Sequence, residues 1–105
     1  MKVFDLKKMK SYPYAQRHKN VFYKAGEFKA RIIGLPAGGK MPQCKMESHV
    51  IFFVIKGRAE VKVGRKKKEI KAGDMLISPP GNFSMETRKG VKIAGVQVAV
   101  KSGTK

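Results

Sequence analysis

The chain has little cysteine, few acidic residues and no long apolar run. Cys44 is the single cysteine among 105 residues, so no disulfide forms within the chain. No apolar stretch approaches the roughly 20 residues that a membrane-spanning helix needs. Lys2, Lys7, Lys8 and Lys10 stand near the start, but no apolar segment follows them as it does in a secretory signal. Cytoplasmic residence, with no membrane contact, is therefore the expectation. Repeats and low-complexity segments are absent. So is any sustained apolar period of 3.6 residues with a cap before it, and this argues against helices.

The shortage of acid leaves a large imbalance. Twenty-four lysines and arginines face seven aspartates and glutamates, for a net charge of +17. Such a charge points toward polyanions or acidic surfaces. The basic residues are scattered along the chain instead of gathered in one arm, which is how a solvated surface reads. Lys66-Lys67-Lys68 falls at an expected hairpin, where lysines protect a sheet edge. Any polyanion contact is expected to be non-specific, driven by counterion release and steeply weakened by salt. The clustered aromatic and basic face of a single-strand binder is missing.

What is present is a series of strands. With 42% hydrophobic residues the chain is expected to form one domain, 1–105. Residues 1–20 read as an irregular arm, with Val3-Phe4 as a short edge strand, Ser11-Tyr12-Pro13-Tyr14 as a turn and His18 at the surface. Val21-Phe22-Tyr23 is rich in strand formers. From Glu27 to Leu35, Phe28, Ala30 and Ile32 alternate with Lys29, Arg31 and Ile33. Leu35-Pro36-Ala37-Gly38-Gly39 breaks the chain. Val50–Ile55 is an apolar run with strand length, closed by Gly57. Ala59–Val63 and Lys68–Lys71 flank a turn at Gly64-Arg65-Lys66-Lys67. Met75–Ser78, Asn82–Thr87 and Val91–Val100 complete the strands, and Ser102-Gly103-Thr104-Lys105 is a loose tail. Short strands punctuated by glycine and proline indicate an all-β sandwich or barrel.

Two stretches carry more than strand propensity. The first runs from Gly38 through Cys44, Met46 and Val50 to Gly57. The second runs from Gly73 through Pro79 and Gly81 to Ser84. Their glycines suit tight turns. Together, with Gly57-Arg58-Ala59-Glu60-Val61 and Ala72-Gly73-Asp74, they resemble the two motifs of the cupin superfamily over about residues 28–100. The resemblance implies a small single-domain cupin: an all-β, double-stranded β-helix of the jelly-roll type, with a core at about 28–100 and an N-terminal arm at 1–20. It also implies a homodimer.

In cupins three histidines and a glutamate hold a metal inside the barrel. Here Cys44 and Met46 stand at the first two histidine positions, Val50 at the glutamate, Ser84 at the last histidine and Arg88 at the motif's asparagine. The donors suited to hard or borderline ions are gone, so no metal and no cofactor are expected. Alternation along strands places Cys44 and Met46 on one face. The resemblance turns that face inward, together with Val50 and Phe52 and with Asn82, Ser84 and Glu86. Cys44, Met46, Val50, Phe52, Ser84 and Glu86 are thus the expected lining of a pocket for a small organic ligand. The same residues would equally fill a closed barrel core.

Three other readings stay open. A metal-dependent enzyme would use a non-standard set such as Cys44, His49 and Glu86. A soft site of Cys44 and Met46 with Met41 or Met85 would select Cu(I). A basic polyanion-binding module would use the barrel as a scaffold. No nucleophilic triad is visible, because Cys44 has only His49 as a candidate base. Ala37-Gly38-Gly39-Lys40 lacks the spacing of a phosphate-cradling loop. Whether the chain is an enzyme is left undecided by its sequence.

Overall fold

The computed structural model describes residues 1–100; the tail expected at Ser102-Gly103-Thr104-Lys105 lies outside the described residues. Eight strands follow a short 3-10 helix at Tyr14–Asn20. They are β1 (Val21–Lys24), β2 (Phe28–Leu35), β3 (Lys40–Met46), β4 (His49–Val63), β5 (Lys66–Lys71), β6 (Met75–Ser78), β7 (Gly81–Glu86) and β8 (Val91–Val98). All pairings are antiparallel. One sheet runs β1-β2-β8-β4-β6 and the other β5-β4-β7-β3.

β4 belongs to both sheets. Its first half, from His49 to Gly57, pairs with β8, and residues 50–53 pair with β6 on the other side. Its second half, from Arg58 to Val63, pairs with β5 and β7. The sequence reading ended the apolar strand at Gly57 and started another at Ala59; the structure corrects this to one strand of 15 residues. The register shifts between Val54 and Lys56, and Gly57 takes a φ of 80°. That positive φ turns the strand without releasing its hydrogen bonds. Ala72 N–H donates to the Gly57 carbonyl at 3.0 Å, and Arg58 N–H donates to the Gly90 carbonyl at 3.3 Å. A Cβ at Gly57 would run into that same Gly90 carbonyl. Thr87 closes the corner: its hydroxyl donates to the Arg58 carbonyl at 2.6 Å and accepts from Gly90 N–H at 3.0 Å.

The core lies between the sheets. Val50, Phe52 and Val54 of β4 meet Phe83 and Met85 of β7, Val91 and Ile93 of β8, and Met41 of β3. Phe52 and Phe83 join the two sheets edge to face, with ring centroids 6.1 Å apart, a geometry that aromatic pairs favour.

The arm differs from its sequence reading in two places. Val3-Phe4 forms no strand; Phe4 packs against Phe22 with centroids 4.8 Å apart. The segment 14–20, expected to be irregular, is a 3-10 helix interrupted at Gln16. It has no side-chain cap and no acidic residue in its first turn, so most of the usual start signals were missing. The hairpin turn is also shorter than expected. Val63 pairs with Lys66, and Gly64, at a φ of 61°, begins a two-residue loop.

The outer face of the first sheet is apolar where β4 meets β6. Ile51 lies opposite Ile77 and Phe53 opposite Met75. Ile77 is 70% exposed and Met75 59%. Among the described residues β6 has no strand on its far side. Among the described residues no helix is long and apolar enough to cross a membrane.

The corner at Gly57 can be tested. Gly57→Ala combines a disfavoured φ with a backbone collision and is expected to destabilise by about 1–3 kcal/mol or more. Gly26→Ala, where a Cβ meets nothing within 4 Å, should be near neutral. Urea denaturation of the two variants beside the parent measures the difference.

Candidate functional site

The two sheets do not close on each other everywhere. β3 is a terminal strand of its sheet, and β2 is flanked on its outer side only by the short β1. Beyond the β1 pairing, which reaches Arg31, the later half of β2 has a free edge. The N-terminal segment fills the seam between β2 and β3. Its geometry is fixed by Asn20, which is buried. Asn20 Oδ1 accepts from Tyr12 N–H at 2.7 Å, and Asn20 Nδ2 donates to the Tyr12 carbonyl at 3.1 Å. Tyr14 packs against the core. Arg17 lies over the Tyr14 ring at 4.1 Å and donates from Nη1 to the Tyr14 carbonyl at 3.0 Å.

Beneath this strap is a cavity of about 260 Å³. Ile33 and Leu35 of β2 and Met41, Cys44 and Met46 of β3 form apolar walls, and Arg31 and Gln97 bring polar ends. The inward direction of Arg31 follows from its register. It pairs with Gly95, and a Cβ on Gly95 would touch the core-packed Ile33 and Phe52 side chains at 3.2 Å. Gln97 lies two residues further along the same face of β8. Its Nε2 donates to the Met46 sulfur at 3.4 Å, a weak acceptor.

Two polar atoms here have no partner among the described residues. Arg31 Nε and Gln97 Oε1 are buried without a hydrogen bond. The three ion pairs among the described residues, Lys40–Glu86, Arg58–Glu69 and Lys71–Asp74, do not involve Arg31. Burial first, and then the neighbouring Arg17 cation, hold the Arg31 pKa below its ordinary value. Arginine nevertheless stays charged at any working pH.

Cys44 and Met46 thus line the cavity, as their shared face suggested. Val50 and Phe52 do not line it; they are sealed in the core against Phe83. Ser84 and Glu86 are a correction. They were expected to look inward, but Phe83 and Met85 occupy the inner face of β7 and are buried, while Asn82, Ser84 and Glu86 face away. Ser84 and Glu86 lie instead beside Lys40, Glu60 and Lys62 outside the barrel. A one-residue difference in register moves every side chain to the other face, and burial of a phenylalanine and a methionine decides it. The proposed set of Cys44, His49 and Glu86 is likewise not assembled. Cys44 faces the cavity, His49 is exposed at the start of β4, and Glu86 pairs with Lys40 outside at 3.9 Å.

Arg31, Gln97 and the strap residues were missed. Gln97 carried a signal, because it is the polar position in the inward series Val91, Ile93, Gly95, Gln97. Arg31 carried one too, by sharing a face with Ile33. The contribution of Tyr12, Tyr14 and Asn20 had no local signature, since it depends on how the arm folds back.

Comparison with solved structures decides the architecture. The chain superposes on a cupin superfamily protein from Desulfitobacterium hafniense with a TM-score of 0.71 and 10% identity, covering 76% of this chain and 74% of that one. It has the cupin fold. An RmlC-like cupin with a double-stranded β-helix from Methanocaldococcus jannaschii gives a TM-score of 0.67 at 18% identity, over 76% and 77% of the two chains. A protein from Thermus thermophilus aligns over 94% of this chain and 98% of its own, with a TM-score of 0.79 and 17% identity. No protein-family model matches the sequence, and no curated protein does either.

The cupin metal does not fit this barrel. Among the described residues no three His, Cys, Asp or Glu side chains are placed to hold an ion. The cavity offers one thiol and two thioethers, one of them engaged by Gln97, and it contains the Arg31 and Arg17 cations. That set contains none of the imidazole and carboxylate donors that hard and borderline divalent ions take.

The register of β7 yields a direct test. Phe83→Ala should cost about 3–5 kcal/mol through the lost core side chain. Ser84→Phe, which would overpack an inward position, should change stability by no more than about 0.5 kcal/mol at an outer one. Thermal denaturation of both variants checks the assignment.

Proposed function

We propose that the protein binds a small organic molecule, without a metal, in the cavity between β2 and β3. What supports this is the cavity itself: an apolar wall of Ile33, Leu35, Met41 and Met46 with a few converging polar groups under a tied-down strap. Ligand sites characteristically combine these features, and the volume lies just below the typical range of about 300–1,000 Å³, which suits a ligand smaller than a drug. Native mass spectrometry with metal analysis tests the reading. The expected result is a non-covalent organic adduct, or uptake from a small-molecule mixture, with no stoichiometric zinc, iron, manganese or nickel. Met46→Trp, which fills the cavity, should abolish uptake. One equivalent of tightly held metal that is lost on Cys44→Ala would overturn the proposal.

The second part of the reading is a homodimer through the outer face of the first sheet. Ile51, Phe53, Met75 and Ile77 make an uncharged patch beside the free edge of β6. On a chain of +17 such a patch is where a second copy meets least repulsion. Non-specific polyanion contact is a separate expectation, served by Arg17, His18, Lys24 and Lys29 around an open basic cleft next to the strap. Sedimentation at moderate salt should give a dimer for the parent and a monomer for Ile77→Lys. A monomeric parent would end the dimer proposal.

A further inference from the structure

The chemistry of the cavity narrows what it takes; this step rests on the small-molecule reading above. The lining residues include three cations, Arg17, Arg31 and Lys45, and no aspartate or glutamate. Arg17 is committed to the strap through the Tyr14 ring and carbonyl. Asn20 has both amide ends engaged by Tyr12. Lys45 is exposed, alternating with the cavity-facing Cys44 and Met46 on β3. The buried polar atoms left over among the described residues are Arg31 Nε and Gln97 Oε1, both unpaired. Arg31 is half-buried with its Nε sealed from solvent; a partly desolvated cation without a counter-charge and a buried acceptor without a donor are both costly. Each specifies its missing complement: an anion for Arg31 and a hydrogen-bond donor for Gln97.

We infer that the ligand is a small organic carboxylate: its carboxylate meets Arg31, a neutral N–H or O–H donor meets Gln97 Oε1, and an apolar body lies against Ile33, Leu35 and Met46. The planar fork of arginine matches a carboxylate with two parallel hydrogen bonds. The apolar walls argue against inorganic phosphate, which would leave most of its oxygens unpaired there. The donor is neutral because an ammonium would enter among cations with no carboxylate to receive it. Free amino acids are thereby disfavoured, while 2-hydroxy acids and N-acyl amino acids fit.

The cavity contains its own reporter, since Cys44 is the single cysteine and lines the wall. The rate of Cys44 alkylation by iodoacetamide reads occupancy, and calorimetry reads affinity. The probes are 2-hydroxy acids from lactate to 2-hydroxy-4-methylpentanoate and mandelate, the neutral amide of each, leucine, and inorganic phosphate. At least one hydroxy acid should protect Cys44 and bind about tenfold or more tighter than its amide, the margin of one hydrogen bond to a charged group. It should exceed leucine by a similar factor, and phosphate should not protect. Arg31→Met should keep its fold, melt no lower than the parent, and bind acid and amide alike. Gln97→Leu should lower affinity for the hydroxy acid while retaining the preference for acid over amide. Amides that bind the parent as tightly as acids would overturn the carboxylate inference and leave the small-molecule reading standing. Protection by phosphate alone would replace the carboxylate with a free inorganic anion. Protection by none of the probes would reject the carboxylate inference, and the small-molecule reading would then stand or fall with the native mass spectrum and Met46→Trp.

Discussion

One strand must serve two sheets, and the rest of the domain depends on how it turns. β4 supplies the core residues Val50, Phe52 and Val54 to the first sheet and Ala59 and Val61 to the second. The turn is made at Gly57 and secured by backbone groups of Ala72, Arg58 and Gly90. Because hydrogen bonding continues through the corner, the sheets keep a fixed angle and a shared interior. β2 and β3 then lie far from β4 in their respective sheets, and the seam between them is where the barrel is left open. The cavity is thus a by-product of the same constraint that holds the core together.

Much of the architecture was legible because strands with a buried face announce themselves. Val50–Ile55, Ala59–Val63 and the glycines at 38, 57, 64 and 73 marked strands and turns near their observed places. The failure at β7 is instructive. Its sequence, Gly81-Asn82-Phe83-Ser84-Met85-Glu86, alternates apolar and polar, and alternation alone assigns Phe83 and Met85 to the interior. The motif spacing pointed to Ser84 instead, and the apolar residues prevailed because burying them is worth more than preserving a degenerate ligand position. The strap was illegible for a different reason. Tyr12 and Asn20 meet through backbone and amide hydrogen bonds, which no period or composition encodes.

The site also relates the large charge to the interior. Most of the excess lysine and arginine is at the surface, where the exposed ion pairs contribute little to stability. Arg31 is the exception, because its half-buried guanidinium lines the cavity at the β2–β3 seam. A guanidinium needs no ligand set of histidines and carboxylates to stay in place, only a strand to carry it. The side chains of Cys44, Met46 and Val50 are physically consistent with such an arrangement, since weakly polar and apolar groups lower the dielectric around the charge.

The position of β8 bears on how the chain comes off the ribosome. Among the described strands it follows all the others in sequence, yet it lies between β2 and β4 in the middle of its sheet. Until it arrives, β2 and the first half of β4 have no partner for their inner edges, and Gln97 is absent from the cavity that Tyr12 and Arg31 began. Until β8 emerges, the nascent domain therefore exposes two unpaired strand edges, the kind of surface on which chains associate wrongly. Like charge scattered along the whole chain is one physical means of keeping such chains apart while they wait.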